Sequence, residues 1–133
     1  MKKYFLMFFV LIASLSSASY AQNTKTTVED FNIFFDKFNS DSKFQVSRVI
    51  FPLKYQVNNE DFELTDYTMS KDKYKVLTLN RKSDEKYLKR TLSIKKHKAT
   101  LQQRGLDNGI YVDYIFELKD NKWFLKTWID QST

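Results

Sequence analysis

Residues 111–130 read YVDYIFELKDNKWFLKTWID. Val112, Tyr114, Phe116 and Leu118 recur at every second position before Asp120, and Trp123 and Leu125 continue that spacing after it. A period of two is the mark of a strand with one buried face. Asp120 and Asn121, between two lysines, suit a two-residue hairpin turn. That turn pairs Lys119 with Lys122, Leu118 with Trp123, Phe116 with Leu125, Tyr114 with Thr127 and Val112 with Ile129. All but the lysine pair share the core face. Tyr114 and Thr127 are its only polar-capable side chains, so they line any cavity the fold encloses; a tyrosine satisfied inside the core is the plainer alternative. The same register puts Glu117 opposite Phe124, Ile115 opposite Lys126, Asp113 opposite Trp128 and Tyr111 opposite Asp130. Tyr111, Ile115, Phe124 and Trp128 then face outward together. Such a patch marks a homodimer or partner face, unless lysine stems and carboxylates simply cover it.

Upstream, GLDNG (105–109) is a hairpin loop with glycine at both ends. In YLKRTLSIKKHKATLQQRG (87–105) the apolar positions are even-numbered at Leu88, Leu92 and Ile94, then odd-numbered at Ala99 and Leu101. A strand cannot change face without an extra residue or a bend, which predicts a bulge or turn near Lys96–Lys98. DFELTDYTM (61–69) and KYKVLTL (73–79) read as two further strands, NRKSDEK (80–86) as a charged loop, and FPLKYQV (51–57) as an extended segment. Only TVEDFNIFFDKFNSDS (27–42) and the residues just after it have a helical period. Phe31, Phe34, Phe35 and Phe38 fall at i, i+3, i+4 and i+7, one face of a helix. Thr26 with Glu29, and Thr27 with Asp30, have capping-box spacing before it. That stripe is first a core face, each buried phenylalanine contributing roughly 1.5–3 kcal/mol. Ser40 or Asp41 can cap a second short helix carrying Phe44, Val46 and Val49, and Pro52 stops it. Helices first and strands after make an α+β domain: a helix and a short helix on a curved antiparallel sheet of about six strands.

The first residues concern the compartment. MKK, the apolar run YFLMFFVLIASL and the small polar SSASYAQ form the three parts of a secretory signal peptide. Ser19 and Ala21 suit the peptidase, so cleavage after Ala21 is expected. Residues 1–21 are then the signal and 22–133 one domain. The apolar run is about 12 residues, short of the roughly 20 that span a bilayer. With Lys2 and Lys3 removed, the formal charge falls from +6 to +4, a mild preference for anionic partners such as envelope polymers. The expectation is an exported protein, periplasmic or secreted, with no nucleic-acid partner and no transmembrane segment in the mature chain. There is no cysteine, so neither a disulfide nor a cysteine-linked lipid holds it.

The order of elements, with a final tryptophan-bearing strand, resembles the nuclear-transport-factor-two-like fold. More narrowly, FNIFFDKFNSDSKFQVSRVIFPL with the ending KWFLKTWID resembles a Bacteroidetes family of small exported proteins classed as a domain of unknown function. The resemblance covers most of Val28–Asp130. It implies a cone-shaped fold with a cavity between helices and sheet, and often a dimer through the outer sheet face. It supplies no catalytic residues, and a superfold that hosts enzymes and binders does not by itself assign an activity.

Side chains able to do chemistry are few. The single histidine, His97, lies inside KKHK, which looks like a solvated edge. Asp66 and Asp113 lie in strands and could act as a buried base beside Tyr114 in a small lyase or isomerase. With one histidine and no cysteine, zinc of the usual kinds is not expected. No glycine-rich phosphate loop is present, and no cofactor is implied. Lys95, Lys96 and Lys98 belong to the densest basic run, a solvated face or a dock for an anionic polymer. The leading expectation is a non-enzymatic exported binding module with a small apolar or polar ligand or a protein partner. Tyr114, Thr127 and Asp66 are its cavity candidates.

Overall fold

The computed structural model describes residues 26–133; the signal-peptide reading and its cleavage site lie outside them. Helix α1 is Phe31–Ser40 and α2 is Ser42–Ser47. The strands are β1 (Val49–Asn58), β2 (Leu64–Met69), β3 (Leu88–Ile94), β4 (Lys98–Gly105), β5 (Tyr111–Lys119) and β6 (Lys122–Asp130). They form one six-stranded sheet in the order β2-β1-β6-β5-β4-β3. The α+β class holds. The sheet is mixed rather than wholly antiparallel, because β1 runs parallel to β6. Residue alternation shows which face a side chain takes but is silent on which strand lies alongside.

Helix α1 begins later than the capping-box spacing suggests. Asp30 is its N-cap, its carboxylate accepting from the Asn32 and Ile33 amides at 2.9 and 3.0 Å. Asp41 does the same for α2, accepting from the Phe44 amide at 2.9 Å; Val49 has already passed into β1. The phenylalanine stripe is core. Phe31, Phe34 and Phe38 are buried, and with the half-buried Phe35 they surround Phe116 edge-on at 5.4–6.1 Å between ring centres.

Glu29, displaced from the capping role, ties the segment before α1 to the turn end of the β5–β6 hairpin. Its carboxylate takes both Arg48 guanidinium nitrogens at 2.7 and 3.0 Å and the Trp123 amide at 2.8 Å. Its carbonyl accepts from the Trp123 indole at 2.9 Å. Burial pushes the carboxyl pKa up, but the Arg48 and Trp123 hydrogen bonds and the Arg48 and Lys122 charges outweigh it, leaving the pKa below the ordinary value.

The break in residues 87–105 is a turn: β3 ends at Ile94, β4 starts at Lys98, and the Lys95 amide donates to the Lys98 carbonyl at 2.8 Å. KYKVLTL, expected as a strand, is not one. From β2 at one sheet edge the chain must reach β3 at the other, and residues 74–81 make that passage as an irregular strap. Its backbone polar groups find side-chain amides instead of a neighbouring strand. Gln45, fully buried, donates to the Phe38 and Leu77 carbonyls at 2.7 and 2.8 Å. It accepts from the Leu77 amide and the Tyr74 hydroxyl at 2.7 and 2.8 Å. Asn39 accepts from the Leu79 amide at 2.6 Å. The run has strand-like hydrophobicity yet forms no ladder, because its backbone partners are side chains remote in sequence.

Candidate functional site: the concave aromatic row

The β5–β6 hairpin decides the site. Asp120 and Asn121 both have positive φ, 50° and 60°, which is the two-residue turn the sequence predicts. Pairing follows the predicted register from Lys119–Lys122 to Phe116–Leu125 and then slips: Ile115 faces Thr127, so Lys126 is left over. On the other side of β6, β1 pairs at Val49–Leu125 and resumes only at Lys54–Thr127, with Pro52, which has no amide hydrogen, in the interval. One extra residue turns every later side chain to the opposite face. Trp128 therefore pairs with Tyr114 on the concave, helix-facing side, and Thr127 pairs with Ile115 on the outer side. Both placements reverse the sequence expectation.

The slip builds a row of rings across four adjacent strands. Tyr67 of β2 stacks on Tyr55 of β1 at 5.3 Å, Tyr55 lies 6.3 Å from Trp128 of β6, and Trp128 stacks on Tyr114 of β5 at 5.9 Å. The row is open at one end and sealed at the other: Tyr67 is 46% exposed and Tyr114 only 6%. The indole Nε1 of Trp128 is buried without a hydrogen-bond partner, a donor left open. Burial, and then the Asp130 charge, push the Tyr114 hydroxyl up to about 12 against the opposing pull of Arg90. Tyr114 thus stays a neutral O–H over any physiological range. Burial also raises Tyr74, with Tyr114 adding to it.

The other candidates do not gather here. Asp66 is exposed and accepts from the Gln56 amide at 2.6 Å. Asp113 alternates to the outer face and pairs with Arg104 at 2.7 Å. Neither stands beside Tyr114, so the predicted carboxylate–tyrosine pairing does not form. The carboxylate whose charge reaches Tyr114 is Asp130, which sequence reading missed along with Tyr55, Tyr67 and Arg90. Of the outward patch, Tyr111 is exposed beneath Arg104 at 3.5 Å, Phe124 lies beneath Arg48 at 5.4 Å, and Ile115 is half-buried. With Trp128 gone, that patch is broken up. Lys95 and Lys98 line an outer-face groove of about 300 Å³ with Ser93, Thr100 and Gln102, while Lys96 lies in the turn. Among the described residues no three histidine, aspartate or glutamate side chains converge as metal ligands. No described helix is long and apolar enough to cross a membrane.

A family model matches residues 29–131, most of the chain. A crystal structure of an NTF2-like protein from Bacteroides fragilis NCTC 9343 superimposes with a TM-score of 0.60 at 24% identity, covering 79% of this chain and 48% of that one. The chain belongs to the family of that model and has the NTF2-like fold. It spans about half the length of the B. fragilis protein. A cystatin-like protein from Bacteroides caccae ATCC 43185 gives a TM-score of 0.58 at 22% identity, over 78% of this chain and 77% of that one. A protein from Bacteroides uniformis ATCC 8492 gives 0.50 at 24%, over 75% of each. No curated protein matches the sequence. These likenesses show the NTF2-like fold.

Proposed function

We propose that this NTF2-like chain is an exported, non-enzymatic binding module that holds a small flat ligand on the concave row Tyr67–Tyr55–Trp128–Tyr114. The observation that carries this reading is the combination of stacked rings with one open end and an unpartnered buried indole N–H at Trp128. Rings supply area at small entropic cost. The Trp128 Nε1 and the neutral Tyr114 hydroxyl lie toward the sealed end, so a ligand stacks first on the exposed Tyr67 end and offers an edge acceptor to these donors as the row parts to admit it. Export rests on the pattern of residues 1–21. A tryptophan-fluorescence titration against a panel of flat, acceptor-bearing aromatic compounds tests the site, with Tyr55→Ala beside the parent chain. Quenching that Tyr55→Ala weakens supports the row; quenching indifferent to Tyr55, or none across the panel, sinks it.

A second reading has its own observation. On the outer face Asp113 and Glu117 are already paired with Arg104 and Lys126, while among the described residues Lys95 and Lys98 take part in no ion pair. The groove they line would suit an anionic polymer held by charge and hydroxyls. Replacing Lys95, Lys96 and Lys98 with glutamate should abolish envelope retention on this reading; unchanged retention removes it. A homodimer through the outer face, also a proposal, has Tyr111, Ile115 and Phe124 to work with.

A further inference from the structure

At the sheet end where β1 and β6 finish and β5 begins, a cleft of about 420 Å³ is lined by Asn58, Phe62, Gly109, Tyr111, Gln131 and Thr133, among others. It stands apart from the concave row and from the lysine groove. Its lining contains two amides, hydroxyls, exposed backbone and two aromatic rings, and no charged side chain.

Three features mark it as built. Asn58 is fixed in orientation because its Nδ2 donates to the Gln131 carbonyl at 3.2 Å, and its Oδ1 is buried with no partner. A buried acceptor left open costs stability unless something occupies it. Phe62 is 71% exposed, yet its φ is 61°, a region a bulky residue rarely adopts. The turn enforces it: the Asn59 side chain accepts from the Asp61 and Glu63 amides, both at 2.9 Å, and the Phe62 amide donates to the Asn59 carbonyl at 3.1 Å. Folding thus holds an apolar ring in water at a strained position beside the cleft. Opposite, Tyr111 is 45% exposed with one ring face covered by Arg104 at 3.5 Å, which leaves the other face to the cleft. The wall between them is backbone. At Gly109, with φ 71°, a Cβ would come within 2.5 Å of the Thr133 carbonyl, so only glycine lets the two segments meet there.

We infer that this cleft is a binding site for a neutral polyhydroxylated ring, a pyranose unit. A sugar ring offers C–H faces to Phe62 and Tyr111, and hydroxyls to the Asn58 side chain that lines the cleft. Further hydroxyls meet Gln131 and the Thr133 hydroxyl. No charged side chain lines the cleft to select an acidic or a basic ligand. Its volume lies within the range of small-molecule sites.

The test is amide NMR of the purified protein with methyl β-glucopyranoside, methyl β-galactopyranoside and methyl β-mannopyranoside as probes, and methyl β-glucuronide as the charged control. Expected are saturable shifts confined to residues 58–62, 109–111 and 131–133 for at least one neutral glycoside, with Kd on the order of 1 mM. Phe62→Gly keeps the fold, because glycine accepts the positive φ, and should weaken binding about tenfold by removing a ring contact. Asn58→Leu should abolish it. No shift with any neutral probe, shifts elsewhere, tighter binding of the glucuronide, or parent-like binding by a folded Phe62→Gly protein would each overturn the assignment.

Discussion

Replacing Gln45 with leucine tests how the strap is held over the sheet. Gln45 is fully buried and uses its whole hydrogen-bonding capacity: two donations to Phe38 and Leu77, two acceptances from Leu77 and Tyr74. Leucine fills similar space but leaves the Leu77 amide and carbonyl and the Phe38 carbonyl without their partner, and frees the Tyr74 hydroxyl. Three orphaned backbone groups at about 1.5 kcal/mol each, the lower half of the usual range because the strap is only part-buried, offset by about 1–2 kcal/mol from the added apolar surface, give a net loss of about 3 kcal/mol. That is a large share of the roughly 5–15 kcal/mol that holds a domain together. Urea unfolding followed by tryptophan fluorescence should show the midpoint falling by about 1.5 M for a slope near 2 kcal/mol per molar. Hydrogen exchange at Leu77 and Leu79 should accelerate beyond what the global loss explains, because the strap detaches first. Gln45→Glu should be worse at neutral pH, since a carboxylate faces two carbonyls, and should recover in acid. A Gln45→Leu midpoint within about 0.3 M of the parent, with Leu77 still protected, would refute this account of the strap.

Trp128→Glu should destabilise the protein at every concentration by about 3 kcal/mol, since it puts a charge among Tyr55 and Tyr114; a stable variant that merely changes oligomeric state in light scattering would return the ring to the outer face. Glu29 has a pKa lowered from 4.5 in the folded chain, so its contribution is present above that value and is lost as pH falls through the lower, folded pKa. Glu29→Gln should accordingly flatten the acid limb of a stability–pH curve, and an unchanged limb would show that another carboxylate sets it. Tyr114, raised from 10.0 to about 12, contributes fully below pH 10 and loses that contribution as pH rises toward 12; phenolate absorbance of Tyr114→Phe against the parent should lack the latest-titrating tyrosine apart from Tyr74. Asn121→Gly, at a φ of 60°, should raise stability by about 0.5 kcal/mol in thermal unfolding; a loss there would mean the Asn121 side chain matters to the turn.

Much of the architecture is local and was therefore readable. The spacing of Phe31, Phe34 and Phe38 writes the buried face of α1, because a helix places residues three and four apart together whatever lies opposite. Asp120–Asn121 writes the hairpin, since both residues tolerate the left-handed backbone its turn demands. The change of parity between Ile94 and Ala99 writes the turn at 95–97. The α+β class and the separation of helices from strands follow from these alone.

What only the tertiary structure decided comes from partners distant in sequence. Nothing in KYKVLTL says that its backbone will bond to the amides of Gln45 and Asn39 rather than to a strand. Nothing in KWFLKTWID says that Lys126 will be left over, because the slip is set jointly by β5 and by the Pro52-containing β1 running parallel on the other side. That single unpaired residue carries Trp128 from the solvent face to the concave one and makes the aromatic row. Alternation fixes relative facing only while the pairing stays in step, and where it slips is settled by neighbours that the chain meets only once it has folded.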